Sequence, residues 1–224
     1  MNASIRMAVC AGLTMAAAAS ATRAAPDLSG PWQTTARSDV LKTAEGNAPT
    51  LTAAGAALLK TNRANLKEDP ARRCLPPGVP RVMLQPGFAF NFVVGQDVAG
   101  MFFEWNHLPR PIWINNQHFE NIGPTYLGQS VGKWEGDTLV VDTNGFNDTT
   151  WLDSSGLPHS DQLETVERIR LRDANTLEDQ ITFKDPKVFT RTWSTVLTFT
   201  RRPGYVVKED FCLKRLNINA VTGE

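Results

Sequence analysis

A length of 224 residues suits a single domain with one sizeable core. Lys and Arg together number 23 and Asp and Glu 23, so the formal charge is zero. That balance lacks the basic footprint a phosphate backbone requires, and no nucleic acid is expected as a partner.

The chain opens with a charge at Arg6, an uncharged run over residues 7–19 and the small triplet Ala19-Ser20-Ala21. This order predicts a secretory signal peptide over residues 1–21, with residue 24 as an alternative end, and hence a periplasmic or secreted protein. The apolar run falls short of the roughly 20 residues that cross a bilayer, so no membrane span is expected. Cys10 lies too early in that run, without the Leu and small residues expected before a lipidated Cys, which disfavours a lipoprotein. Beyond the leader, residues 26–216 read as one domain and residues 217–224 as a C-terminal tail. Within it Cys74 and Cys212 form an even pair, for which a disulfide is the simplest expectation in an oxidising compartment and two buried thiols the alternative.

Gly30-Pro31-Trp32 begins a first strand, with Trp32 expected to plug one end of a barrel. Residues 52–68 have Ala, Leu, Lys and Arg at helical density, a Thr cap and Pro70 as a stop, and predict one flanking helix. Residues 69–86 carry five prolines and read as an ordered, extended linker. From residue 88 the chain becomes short β-prone runs separated by turn chemistry. Hairpins are expected over 88–94 with 98–105, 130–134 with 138–143, 166–171 with 177–183, and 193–200 with 205–211. Leu163, Thr165, Ile169 and Leu171 share one face and Glu164, Arg168 and Arg170 the other. With Trp32 and residues 111–114 added, the expected fold is all-β: an antiparallel lipocalin-like meander barrel of about 8–10 strands with one flanking helix. An open β-sandwich is the alternative.

One stretch breaks this rhythm. Residues 144–161 are too long for a hairpin turn and concentrate Asn147, Asp148, Asp153, His159, Ser160 and Asp161 beside Phe146, Trp151 and Leu152. A histidine with a carboxylate in reach exchanges protons near neutral pH. His159 is therefore the candidate acid or base, with Asp161 or Asp148 orienting it; the competing reading is that His159 and Asp161 only pin the loop. A second cluster, residues 104–113, offers Glu104 as an opposite acid/base group and Arg110 as its partner or as a binder of substrate oxygen. Asn147 is a further oxyanion donor, and Trp105, Trp113, Trp151 and Phe146 are candidate walls for a ring. Of Glu167 and Arg168 only one is able to face inward. His118 sits in a polar run that reads as a loop.

The histidines form no HxH or HExxH, and no glycine pattern matches a P-loop or dinucleotide fingerprint, so neither a metal nor a nucleotide, flavin or nicotinamide cofactor is expected. The expected function is a cofactor-independent lyase or isomerase acting on a small hydrophobic or aromatic molecule; the alternative is a carrier for an apolar ligand.

The run Gly132-Lys133-Trp134-Glu135-Gly136-Asp137-Thr138-Leu139-Val140-Val141-Asp142-Thr143 continues into Gly145-Phe146-Asn147-Asp148, Trp151-Leu152-Asp153, Gly156-Leu157-Pro158-His159-Ser160-Asp161, Glu167-Arg168 and Asp185-Pro186. Together with Trp32 and the span from Cys74 to Cys212, it resembles a large family of exported bacterial proteins of mostly unassigned function. The resemblance implies a secreted lipocalin-like domain and brings no catalytic residue with it.

Overall fold

Side chains that alternate between inside and outside turn nine segments into strands, which close into one barrel in the computed structural model of residues 26–215. The expected leader and C-terminal tail lie outside the described residues. The strands are β1 (Gly30–Thr34), β2 (Ala89–Val94), β3 (Val98–Phe103), β4 (Pro109–Ile114), β5 (Gln129–Glu135), β6 (Thr138–Asn144), β7 (Glu164–Asp173), β8 (Thr176–Lys184) and β9 (Trp193–Arg201). Each pairs with its sequence neighbours, and β9 returns to β1, so the sheet has no free end.

The expectation of a purely antiparallel meander needs correction. β4 and β5 run parallel, with Trp113 opposite Val131. A parallel neighbour cannot be reached by a tight turn; residues 115–128 form the crossover, which runs over the outer face. The fourth expected hairpin also fails. After β9 the chain does not turn into a tenth strand, because β1 already occupies that position through Thr34 opposite Phe199. Residues 205–211 are extended without a ladder.

The barrel interior is filled by Trp32, Phe90, Phe92, Met101, Ile112, Leu139, Phe183 and Phe199, all essentially without exposure. Trp32 donates its indole N–H to the Leu28 carbonyl at 2.9 Å, and the Arg201 guanidinium lies 4.2 Å from its ring centre. These contacts satisfy the one polar atom of a fully buried indole.

The flanking helix, α1 (Ala53–Ala64), is capped by the Thr52 hydroxyl, which accepts from the Gly55 amide at 3.0 Å. It is shorter than expected, since residues 66–68 tighten into a 3-10 turn. Gly55 is its sole buried residue, and a Cβ there would collide with the Val188 carbonyl. Helix and barrel therefore touch backbone to backbone. The proline-rich linker makes two further 3-10 turns, Pro70–Arg73 and Arg81–Leu84, and buries Val82, Met83 and Leu84. Cys74 at the end of the first turn is bonded to Cys212 in α2 (Cys212–Arg215), 138 residues along the chain. No helix among the described residues is long and apolar enough to cross a membrane.

Candidate functional site

The long loop after β6 is folded as a plug whose polar groups are consumed in holding it. Asp153, buried, accepts from the amides of Ser155 and Leu157 within its own turn and from the amide of Leu41 across the fold. Asn62 of α1 donates to the Gly156 carbonyl, and Asp185 accepts from both the amide and the hydroxyl of Ser160. Phe146, Trp151 and Leu152 are buried beneath.

His159 is buried within this plug, its Nε2 2.6 Å from the Thr150 hydroxyl and its Nδ1 3.0 Å from the Ser160 carbonyl. A carbonyl only accepts, so the proton resides on Nδ1 and Nε2 accepts from Thr150. Burial pushes the imidazole pKa below its usual value, against the pull of the Ser160 carbonyl and of Asp185 and Asp148. The expected His159–Asp161 pair does not form. Asp161 points outward to Lys187 at 2.7 Å, which lowers its pKa. Asp148 is exposed, and Asn147 accepts from its neighbour Thr149.

The second expected pair, Glu104 with Arg110, is likewise replaced. Glu104 lies at the end of β3, buried, and accepts from the Ala89 amide, the Lys208 amide and the Tyr205 hydroxyl. It thereby fastens the segment after β9 to the start of β2. Trp105 beside it is buried and Trp151 nearly so, which removes both as walls of an open site.

Arg110 points into the barrel. Its guanidinium makes a two-pronged pair with Glu167 on β7, and donates to the Ser130 hydroxyl at 3.1 Å and the Thr143 hydroxyl at 3.0 Å. Arg168, the neighbour of Glu167, faces outward to Glu135, as alternation along a strand requires. Beside this pair sits Asp179 on β8, fully buried, with neither oxygen accepting a hydrogen bond from any described residue. Burial, reinforced by the Glu167 charge, raises its pKa well above the ordinary carboxylate value, against the pull of the Arg110 guanidinium. Arg110, Glu167 and Asp179 thus gather one cation and two carboxyl groups in the barrel interior.

The outer face behaves differently. Alternation on β4 turns Pro109, Pro111 and Trp113 outward, and the registers place Trp113, Val131 and Asp142 in one row across β4, β5 and β6. The crossover lies over this row. Its Phe119 packs edge-on against Trp113 with ring centres 5.3 Å apart, while His118 brings Nε2 to 2.7 Å from Asp142. Two strand spacings separate Trp113 from Asp142, roughly 10 Å, the length of a small aromatic molecule. Pro111, Trp113, Phe119, Ile122 and Gln129 line a groove of ≈ 440 Å³ along the crossover.

His118 is the one histidine among the described residues that contacts a carboxylate. Asp142 accepts from Nε2–H, which fixes the tautomer and leaves the lone pair on Nδ1. That Nδ1 is shielded from solvent and meets no hydrogen-bond partner among the described residues. The third histidine, His107, accepts the Asp210 amide with its Nε2 and serves the C-terminal segment. Among the described residues no group of three or more His, Cys, Asp or Glu is arranged to hold a metal.

The fold and this surface define a closed β-barrel with an aromatic groove and a histidine–carboxylate pair on one wall. Comparison with protein-family models, curated proteins and solved structures finds no match for the chain. Of the residues singled out in the sequence, only Trp113 lies in this groove; His118, Asp142 and Phe119 were passed over. The signal was faint, since His118 and Asp142 are 24 residues apart and only a parallel crossover brings them together.

Proposed function

We propose that the protein is an exported, cofactor-independent acid/base enzyme of lyase or isomerase type, acting on a small hydrophobic or aromatic compound in a lipocalin-like barrel. Its working site is the His118–Asp142 pair beside the Trp113–Phe119 groove, in place of His159. The supporting observation is the 2.7 Å contact of His118 Nε2 with Asp142, with Nδ1 left without a partner among the described residues. A carboxylate holding one ring nitrogen sets the tautomer, so that the other nitrogen is the one that accepts a proton in general-base chemistry. Trp113, Phe119 and Ile122 supply apolar surface for a ring in the groove next to this pair. The signal-peptide pattern supports the exported location.

The test is proton exchange. The purified chain is incubated in D₂O with a panel of small aryl ketones and phenols, and deuterium incorporation and isomerisation are followed by mass spectrometry. His118→Gln and Asp142→Asn are expected to lower the rate about 10²-fold or more while leaving the melting temperature unchanged. Exchange that persists in His118→Gln contradicts the assignment.

The nearly all-apolar lining of the groove favours a second reading, a carrier for the same class of molecule. A carrier binds panel members without exchange, and its affinity survives His118→Gln but falls in Trp113→Ala.

A further inference from the structure

The Cys74–Cys212 bond gathers cations. It holds its two Cα atoms 5.5 Å apart, and each end carries a basic pair: Arg72-Arg73 in the 3-10 turn before Cys74, and Lys214-Arg215 in α2 after Cys212. Like charges brought together repel, and carboxylates nearby answer only part of that charge. Arg73 lies 3.7 Å from Glu68, and Arg215 pairs with Asp210 through Nε at 2.8 Å and Nη2 at 3.4 Å. The Arg72 side chain makes neither an ion pair nor a hydrogen bond among the described residues.

Arg72 and Arg215 line one cleft of ≈ 270 Å³ together with Arg81, Gln85, Trp105 and Ser154. Arg81, its third guanidinium, is buried. Its Nη1 and Nη2 donate to Asp69 at 2.7 and 2.6 Å, while its Nε is shielded from solvent and meets no hydrogen-bond partner among the described residues. Asp39 stands 3.9 Å from that Nε, beyond hydrogen-bonding distance, and accepts instead from the Ser154 hydroxyl. Among the described residues Asp69 is the one carboxylate that lines the cleft, and it is occupied by Arg81 and the Ala71 amide.

The cleft therefore holds more donors than acceptors. The Arg72 guanidinium, Nη1 of Arg215 and Nε of Arg81 are all uncommitted, and a buried donor without an acceptor is rare in a folded protein. Arginine forks match the paired oxygens of a carboxylate or phosphate. Leu66, Ala71 and Trp105 supply apolar lining in the same cleft, which an organic carboxylate uses and an inorganic anion does not. Arg215 is also braced by rings, 5.9 Å from the centre of Trp105 and 5.1 Å from that of Phe88.

We propose that this cleft is a second ligand site, separate from the Trp113 groove, and that it binds a small organic carboxylate through Arg72, Arg215 and Arg81. It does not depend on the acid/base function proposed above. The experiment is calorimetric titration of the oxidised full chain with benzoate, and separately with inorganic phosphate, comparing wild type with Arg72→Gln, Arg215→Gln and Arg172→Gln. Arg72 and Arg215 are exposed, so their replacement spares the core, and circular dichroism verifies that each variant is folded. Arg172, exposed near the end of β7, controls for the loss of one positive charge. The expected result is one benzoate per chain in wild type and weaker binding of phosphate. Affinity for benzoate is expected to fall at least tenfold in Arg72→Gln and in Arg215→Gln, about the worth of one charge-assisted hydrogen bond, and to stay unchanged in Arg172→Gln. Wild type that takes up no benzoate at millimolar concentrations overturns the proposal. Affinity that survives either cleft substitution overturns it too, because the ligand then sits elsewhere, the Trp113 groove included. An equal loss in Arg172→Gln shows that binding follows overall charge, and phosphate bound as tightly as benzoate shows that the apolar lining plays no part; either result overturns the assignment.

Discussion

Burial decides what each titratable side chain contributes here, and two of them act in opposite directions on stability. The folded state holds the His159 pKa below its unfolded value of about 6.5. Below that pH the unfolded chain binds a proton that the folded chain refuses, so this contribution is present above about pH 6.5 and lost as pH falls through the folded pKa. Asp179 is the reverse, with its folded pKa raised. Its contribution is complete below the unfolded carboxyl pKa of about 3.9 and is lost as pH rises through the folded value. Asp179→Asn removes that loss. Melting temperatures across pH are expected to show Asp179→Asn more stable than wild type at neutral pH and indistinguishable from it in acid; equal melting at all pH values contradicts the raised pKa. Glu167→Gln takes the two-pronged carboxylate from the buried Arg110 and leaves Asp179 as the nearby acidic group, and chemical denaturation should show a loss of about 3 kcal/mol.

His159 and His118 show how much of the site could be seen beforehand. The loop around His159 was legible as a special segment because its length and polarity broke the strand rhythm. Its role was not, since Thr150, Asp153 and Asp185 turn out to satisfy the polar groups of the segment. Sequence proximity suggested Asp161 as partner, yet Asp161 faces outward to Lys187. Arg110 finds Glu167 57 residues away, a pairing invisible without the register of four strands.

At the scale of elements, the connection that resisted prediction is the one that builds the groove. Alternation identifies a strand and a short polar turn with Asp beside Gly or Asn identifies a hairpin, and β2–β3, β5–β6 and β7–β8 follow from those two signals. Neither signal gives the direction of β5 relative to β4, because the run after Ile114 is too long for a hairpin turn and its turn residues, Gly123-Pro124 among them, leave the strand direction open. Helix α1 was legible, but its docking through Gly55 was not. Gly→Ala inside a helix ordinarily stabilises by about 1 kcal/mol; Gly55→Ala is expected to destabilise, because the methyl meets the Val188 carbonyl. Denaturant unfolding that shows a gain would contradict that packing. The Cys74–Cys212 bond closes a separation of 138 residues, and loop-closure entropy assigns it about 5 kcal/mol. Melting in reductant, or of Cys212→Ser, is expected to fall accordingly.

Across the whole molecule, structure and chemistry are divided between inside and outside. The interior holds an aromatic core crossed by the Arg110–Glu167 pair, with Asp179 beside it. Ion pairs on β5, β7 and β8 line one outer wall, and the wall of β2 to β4 is left apolar, with the His118–Asp142 pair at its margin. Acid/base work at that margin is the central claim, and nuclear magnetic resonance of the imidazole nitrogens tests it most directly. During titration with 2-naphthol the His118 resonances should move together with the Trp113 indole signal and saturate at one ligand per chain. Asp142→Asn should abolish the His118 response while Trp113 still reports binding. A His118 signal that stays fixed while naphthol binds would contradict the account.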